Sequence, residues 1–216
     1  MSALPLTVAG EALLLLPEKA LYWPRLQLLA VADIHFGKAV AFRAQGVPVP
    51  RGTTSANLDA LDALLQQWPC TQLVFLGDFL HARAAHAPAT LAAMLAWRRR
   101  HPALTLTLVR GNHDRHAGDP AAALGIAMVD EPWQLGPFAF CHHPDVATPA
   151  YVLAGHVHPA YRLSTRTDSV RLPCFLVGAA RMILPSFGAF TGGHLVRPAP
   201  DEAVYLSTGS AIHYVR

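Results

Sequence analysis

The chain has 216 residues, a formal net charge of +3 and an apolar fraction of 52%. This length fits one domain with a substantial core, and the apolar content excludes a disordered chain. No apolar run approaches the roughly 20 residues of a membrane-spanning helix, so no membrane association is expected. Without a recognisable signal peptide, and with three widely spaced cysteines, the chain is predicted to be cytoplasmic and free of a disulfide framework.

Histidine is the informative residue type in this composition. The chain has 12 histidines against 14 acidic residues, and several of the histidines lie close together in the sequence. Clustered imidazoles are typical of metal sites. The mild basic surplus favours anionic partners, such as nucleic acid or phosphorylated metabolites.

The first half of the chain alternates predicted strands and helices. Its predicted strands are Leu13–Leu16, Ala20–Trp23, Leu26–Val31, Leu73–Leu76 and Leu104–Val109, and its predicted helices are Ser55–Trp68 and Ala89–His101. Thr53 and Thr54 are predicted to cap the first helix, and the segment before them is predicted to be a loop or a broken helix. Such alternation indicates a largely parallel sheet with crossover helices.

Beyond Asp119 the pattern changes to short strands and turns. The candidate strands are Ala127–Val129, Phe138–Cys141, Tyr151–Leu153, Pro173–Val177, Gly193–Val196, Ala203–Leu206 and Ala211–Val215. We expect this β-rich half to complete a two-sheet sandwich covered by helices. Because the sequence contains no linker, repeat or low-complexity tract, residues 1–216 are predicted to form a single domain.

Five polar motifs each follow an apolar, strand-like run. They are Asp33-Ile34-His35, Gly77-Asp78, Gly111-Asn112-His113-Asp114, Cys141-His142-His143 and Gly155-His156-Val157-His158. In Asp-x-His the two side chains lie on the same side of an extended backbone, so both can bind one ion. Each motif alone is also compatible with an ordinary polar turn. The occurrence of all five, each at the end of a predicted strand, indicates a site.

The residue types in these motifs indicate which metals would bind. Carboxylate, imidazole and amide ligands suit Mn²⁺, Fe or Zn²⁺, whereas a soft thiolate site would be rich in cysteine. Two Asp, one Asn and four His are too many for one tetrahedral ion. They suffice for two ions that share a bridging carboxylate, the arrangement that promotes in-line displacement at phosphorus.

In order and spacing the five motifs resemble those of the calcineurin-like metallophosphoesterase superfamily. The resemblance implies an α/β fold, a four-layer α/β/β/α sandwich in which helices flank two mixed sheets. It implies that one metal ion is bound by Asp33, His35, Asp78 and His158. The second would be bound by Asp78, Asn112, His142 and His156, so that Asp78 bridges the two ions.

The same resemblance implies catalytic roles. A hydroxide between the two ions would attack phosphorus, while His113 assists the leaving group and Asp114 orients its imidazole. Its position in the motif favours His142 over His143 as the ligand. His81 and His116 could also line the site, although a solvated loop position is the simpler interpretation for each.

A closer resemblance extends over nearly the whole chain. The segments Ala32–Lys38, Phe42-Arg43, Gly46–Pro50 with Thr53-Thr54, and Leu184–Gly193 are similar to those of the bacterial DNA-ligase-associated metallophosphoesterases. This family is grouped with an ATP-dependent DNA ligase, a helicase and an exonuclease. The resemblance implies a DNA-repair endonuclease or phosphodiesterase that acts on DNA ends, nicks or single strands, with Mn²⁺ as the preferred metal.

The residues themselves say less about the substrate. Lys38, Arg43 and Arg51 follow the first motif and could contact phosphates, although a solvated loop would carry similar charges. No aromatic stripe for base stacking accompanies them, and Phe187 and Phe190 are predicted to be core residues. Two alternatives therefore stand beside a DNA phosphodiesterase: a phosphatase or diphosphatase of a small nucleotide or lipid precursor, and a catalytically silent scaffold.

Overall fold

Two β-sheets form the centre of the molecule in the computed structural model, which describes residues 2–49 and 52–215. The first sheet contains seven strands in sequence order: β1 (Leu4–Val8), β2 (Glu11–Leu16), β3 (Ala20–Trp23), β4 (Leu28–Ala32), β5 (Gln72–Leu76), β6 (Thr105–Val109) and β7 (Ile126–Val129). Strands β1 to β4 are antiparallel, and β4 to β7 are parallel. The predicted parallel sheet is therefore present as one half of a mixed sheet.

The second sheet contains the remaining nine strands. They are β8 (Trp133–Leu135), β9 (Phe138–Phe140), β10 (Tyr151–Ala154), β11 (Pro159–Ser164), β12 (Ser169–Val177), β13 (Arg181–Ile183), β14 (His194–Leu195), β15 (Ala203–Ser207) and β16 (Ile212–Tyr214). Strand β10 lies parallel to β9 and β13, whereas β11 and β12 form an antiparallel hairpin. The α-helices are α1 (Lys38–Ala44), α2 (Thr53–Gln67), α3 (Pro88–Arg100) and α4 (Asn112–Ala117).

Burial accounts for this layering. Between the two sheets, Trp23, Phe138, Phe140 and Phe175 are almost fully buried, and each contributes on the order of 1.5–3 kcal/mol. The other face of the first sheet packs against α2 and α3, through residues such as Leu61. On the outer face of the second sheet, the described part of the chain has no α-helix, and a small apolar cluster is covered by strand and loop residues.

The fold class predicted from the sequence is confirmed as an α/β sandwich of two mixed sheets, although in the described part of the chain the flanking α-helices lie on the first sheet. Four strands were missed, namely β1, β8, β11 and β13, and β7 belongs to the first sheet rather than to the second. The predicted Thr53 and Thr54 cap is wrong, because both residues lie inside α2 and Gly52 precedes it in a left-handed conformation. Among the described residues, no helix has the length and apolar character needed to cross a membrane.

Candidate metal centre

All five polar motifs lie where strands end. The first three follow the carboxyl ends of the parallel strands β4, β5 and β6, which therefore meet at one edge of the first sheet. The other two follow β9 and β10, which are parallel to each other in the second sheet. This is the edge at which α/β sheets bind ligands. Side chains that are up to 125 residues apart in the sequence meet there as a result.

Four of the predicted ligands form one compact group. The carboxylate and imidazole atoms of Asp33, His35, Asp78 and His158 lie within 4.8 Å of one another. His35 Nε2 is 3.5 Å from His158 Nε2 and 3.7 Å from an oxygen of Asp78. His158 Nε2 is 3.4 Å from Asp33 Oδ1. Donor atoms from four residues thus converge on a common point, as a metal ion requires.

The second predicted set is also brought together, and it meets the first set at Asp78. His142 Nε2 lies 2.8 Å from the amide oxygen of Asn112 and 3.0 Å from His156 Nδ1. It is 3.5 Å from Asp78 Oδ1, while Asp78 Oδ2 faces His35 of the first group. One carboxylate therefore presents an oxygen to each group. This is the geometry that the sequence analysis predicts for a bridging ligand.

A buried carboxylate oxygen of Asp33 indicates whether these residues suit a cation. Asp33 is fully buried, and its Oδ1 has no hydrogen-bond partner in the structure, although Oδ2 accepts from the backbone N–H of His156. A buried carboxylate oxygen without a donor is costly unless a cation compensates it. Since this oxygen points at His142 and His158, the residues present fit a divalent metal ion at the first group.

Backbone conformation also marks this region as a functional site. Five predicted ligands have positive φ angles, between 48° and 69°: Asp33, His35, Asp78, His156 and His158. Residues other than glycine seldom adopt this left-handed region, which costs free energy that the surrounding structure must supply. Non-glycine residues of this kind cluster at active sites and ligand-binding loops. The expectation that Asp33 and His35 lie on an extended backbone is therefore wrong, because both residues adopt the left-handed conformation.

Three glycines of the motifs, Gly77, Gly111 and Gly155, make room for predicted ligands from other motifs. A Cβ atom on Gly77 would lie 2.0 Å from Nδ1 of His142, and one on Gly155 would lie 2.6 Å from Oδ2 of Asp33. Any larger residue would therefore displace a ligand side chain. Glycine at these positions is explained by this close approach between loops.

Backbone carbonyls and neighbouring side chains select the histidine tautomers. His142 Nδ1 donates to the carbonyl oxygen of Leu76 at 3.2 Å, which leaves the Nε2 lone pair directed at the metal centre. His35 Nδ1 lies 3.3 Å from His81 Nδ1, so the His81 ring can accept from it while His35 Nε2 faces the ligand group. Such outer hydrogen bonds orient histidine ligands and make them more basic.

The burial of these residues favours the neutral form of their imidazoles. Burial lowers the pKa of His142 and of His81 to about 4, and it lowers the pKa of His35 far below its usual range. Burial also raises the pKa of the Asp78 carboxyl. A neutral histidine binds a metal ion without first losing a proton, so these imidazoles are prepared for a cation at neutral pH.

The position of His113 agrees with a catalytic role, but its predicted partner does not. His113 Nδ1 donates to the carbonyl oxygen of His81 at 2.9 Å, and its Nε2 lies 3.9 Å from Asp78 Oδ2. Asp114 does not orient this imidazole. Its buried carboxylate, whose pKa burial raises to about 6, accepts from the backbone N–H groups of Leu80 and Gly111. Asp114 therefore joins the loops after β5 and β6.

Two residues of the site have surroundings that the sequence did not predict. His81 is not a solvated loop histidine: its ring stacks on that of His113, with 4.8 Å between the centroids. Glu131 accepts from the backbone N–H groups of His142 and His143 and from the His143 ring at 2.6 Å. The Glu131 contacts give His143 a carboxylate partner, whereas His142 is fully buried; both imidazoles lie within 4.8 Å of His156, so His142 as the ligand stays a prediction.

The predicted substrate-binding residues have different surroundings. Lys38 is half-buried at the start of α1. Burial lowers the pKa of its ammonium, and the nearby carboxylates of Asp33 and Asp78 partly oppose this shift. Arg43 lies in α1, and its Nη1 is 3.5 Å from the carbonyl oxygen of Val49 in the segment after that helix. Arg51 lies outside the described residues. His116 is exposed and donates to the Asn112 carbonyl oxygen.

The fold and this site define a class of protein. The sequence profile of the calcineurin-like phosphoesterases matches residues 26–138, which include the first three motifs. The chain belongs to this superfamily, and it is a metal-dependent phosphoesterase, a hydrolase.

A particular relative is similar over the whole length of the chain. The crystal structure of the Pseudomonas putida nuclease MPE is 48% identical in sequence, with a TM-score of 0.88. The match covers 99% of this chain and 100% of that chain. A comparison with functionally curated proteins found no match.

Proposed function

We propose that the protein is a dinuclear metal-dependent phosphodiesterase that cleaves DNA at ends, nicks or single strands during ligase-associated repair. The observation that supports this most directly is the pair of ligand groups that meet at Asp78, with the His113 imidazole beside them. The similarity to a nuclease supports the polynucleotide substrate.

The ligand set determines which ions fit the centre. The described residues bring together carboxylate, amide and imidazole donors without a thiolate, which suits Mn²⁺ best, with Fe or Zn²⁺ as alternatives. Two such ions would supply Lewis acidity and a nucleophile that is active at neutral pH. The remaining chemistry belongs to the side chains around them.

His113 is positioned to move a proton at the leaving-group oxygen. Because a carbonyl oxygen can only accept, the hydrogen bond to His81 fixes a proton on Nδ1. Nε2 then faces the ligand groups and carries the second proton when the ring is an imidazolium. A positioned acid of this kind accelerates such reactions by about 10²–10⁴-fold.

Lys38 supplies positive charge beside the reacting group. Its ammonium is half-buried and lies near the two aspartates that belong to the first ligand group. In such a partly desolvated position, a cation interacts more strongly with a phosphate oxygen than it would in water. Lys38 would therefore hold the scissile phosphodiester while His113 acts on the leaving oxygen.

The biological setting is part of the same proposal. The segments Ala32–Lys38 and Leu184–Gly193 resemble those of the ligase-associated family, so a DNA ligase, a helicase and an exonuclease are the functional partners to test. A cytoplasmic location is consistent with this setting.

One assay separates the candidate activities. The purified protein is supplied with Mn²⁺, Mg²⁺ or Zn²⁺ and offered bis-p-nitrophenyl phosphate, single-stranded, nicked and flapped DNA, and nucleoside diphosphates. We expect Mn²⁺-dependent cleavage of DNA, and a loss of about 10²-fold or more in kcat in His113→Ala with its metal content unchanged. Faster hydrolysis of the nucleoside diphosphates would favour a phosphatase. Inactivity on every substrate would indicate a scaffold.

A further inference from the structure

A cavity of about 220 Å³ opens beside the metal ligand His158. It lies where the turn between β2 and β3 meets the β11–β12 hairpin and the segment that precedes β14. Two cationic side chains line it, Lys19 from the turn and Arg171 from β12. Neither residue belongs to a metal-binding motif, so the metal centre does not account for their presence.

The Lys19 ammonium is positioned to bind an anion. Its side chain is half-buried, and its ammonium donates to the carbonyl oxygen of Phe187 at 2.8 Å. In the part of the chain that the structure describes, no carboxylate forms an ion pair with it, and its other recorded contact is with the Phe187 ring, 5.9 Å from the ring centroid. Burial lowers its pKa to about 8, so the ammonium is protonated at neutral pH.

The hairpin carries two arginines that face each other. In the β11–β12 register, Arg162 lies directly opposite Arg171, so both guanidinium groups project from the same face. Like charges in this arrangement repel, and within the described residues neither arginine has a carboxylate partner. An anion placed between them would remove the repulsion. Arg166 in the connecting turn adds a third positive charge against the single carboxylate of Asp168.

The hairpin leads directly away from the metal centre. Strand β11 begins at Pro159, the residue after His158, and Arg162 lies four residues beyond His158. At about 3.3 Å per residue this is about 13 Å of strand, too far for the group that reacts at the metals. The hairpin can instead reach other phosphates of the same molecule.

We propose that Lys19, Arg162 and Arg171 form an anion-binding track that holds successive phosphates of a polynucleotide whose scissile phosphate lies at the metal centre. This inference rests on the proposed function, and it adds a second contact region to that of Lys38 at the start of α1. The ligand class is a chain of phosphodiesters, because such a chain presents phosphates both at the metals and along the hairpin, as the proposed function requires.

The test compares long and short substrates. The Mn²⁺-loaded wild-type protein and R162Q/R171Q are assayed on a single-stranded 20-mer and on a dinucleotide at several KCl concentrations. We expect the preference for the 20-mer in kcat/KM to fall at least tenfold in the variant. The dependence of log kcat/KM on log salt should become shallower by about 1.4, since each lost contact to a single strand removes about 0.7. K19M should show the same effect with about half this change in slope.

Arg99 provides a matched control. It is an exposed arginine at the end of α3, next to the start of β6 and therefore at the opposite edge of the sheet from the metal centre. R99Q should retain the wild-type preference and the wild-type slope. If R162Q/R171Q and K19M also retain both while the wild-type protein cleaves the 20-mer, the track is refuted and the proposed function stands. If the wild-type protein cleaves no polynucleotide, the proposed DNA substrate and the track both fail.

Discussion

The buried side chain of Asn57 donates a hydrogen bond to the carbonyl oxygen of Ile34, with 2.9 Å between the two heavy atoms. Its amide oxygen accepts from the backbone N–H of Ala189 at 2.7 Å. Ile34 lies between the two predicted metal ligands of the first motif, and Ala189 lies in the segment Leu184–Gly193. One side chain of α2 thus connects that segment to the first metal group.

Replacing Asn57 with leucine should therefore weaken both stability and metal binding. The variant leaves the buried carbonyl oxygen of Ile34 without its donor, at about 1–3 kcal/mol, whereas the N–H of Ala189 belongs to an exposed residue and can bind water. We expect a loss of about 1–3 kcal/mol in the free energy of unfolding, measured by urea denaturation, and weaker binding of Mn²⁺ in titrations. Gln66→Leu, at an exposed position of the same helix, should change neither quantity measurably. If Asn57→Leu has the free energy of unfolding and the Mn²⁺ affinity of the wild type, the two hydrogen bonds of Asn57 are dispensable.

The convergence of the candidate ligands could be predicted from the sequence because they are adjacent in short motifs that follow strong strand signals. Asn57 could not, because an asparagine within a predicted helix gives no sign of a partner 132 residues away. The same holds for Glu131, which contacts the site only after the chain has folded. Strand β1 was missed because Pro5 weakens its signal, although proline is tolerated in a strand at the sheet edge.

Gly77→Ala should remove activity through sterics alone. The new methyl group would lie 2.0 Å from Nδ1 of His142, so this imidazole must leave its position beside Asn112. We expect the Mn²⁺ content, measured by elemental analysis, to fall by about one ion per chain, with a corresponding loss of activity. Gly10→Ala is the control: Gly10 also has a positive φ but has nothing within 4 Å of the added methyl group. If both variants bind equal amounts of metal, steric displacement of His142 is not important.

Asp78→Asn tests the bridging assignment. The amide keeps the size of the side chain but provides only one metal-binding oxygen without charge, so two cations would no longer share a carboxylate. We expect loss of one or both ions and a fall in kcat of at least 10³-fold, measured by elemental analysis and on bis-p-nitrophenyl phosphate. Asp59→Asn, on the exposed face of α2, should behave as the wild type. Full metal content and activity in Asp78→Asn would contradict the bridge.

Lys19 should give the protein a stability that depends on pH in a definite window. Burial lowers the pKa of Lys19 from 10.5 to about 8, so between these values the folded state holds fewer protons at this group than the unfolded chain does. Stability therefore increases with pH across this window, and the contribution is lost as the pH falls through about 8. After allowing for partial solvent screening, the size should be about 1–2 kcal/mol.

Urea denaturation in EDTA at pH 7.5, 9 and 10.5 measures this effect without a contribution from bound metal. The free energy of unfolding of the wild type should rise relative to that of Lys19→Met, because methionine has no proton to lose. Lys19→Arg should follow Lys19→Met, since arginine stays protonated throughout this range. Parallel curves for all three proteins would show that the Lys19 ammonium is hydrated as an exposed lysine is. The half-buried cation that the proposed phosphate track requires would then be absent.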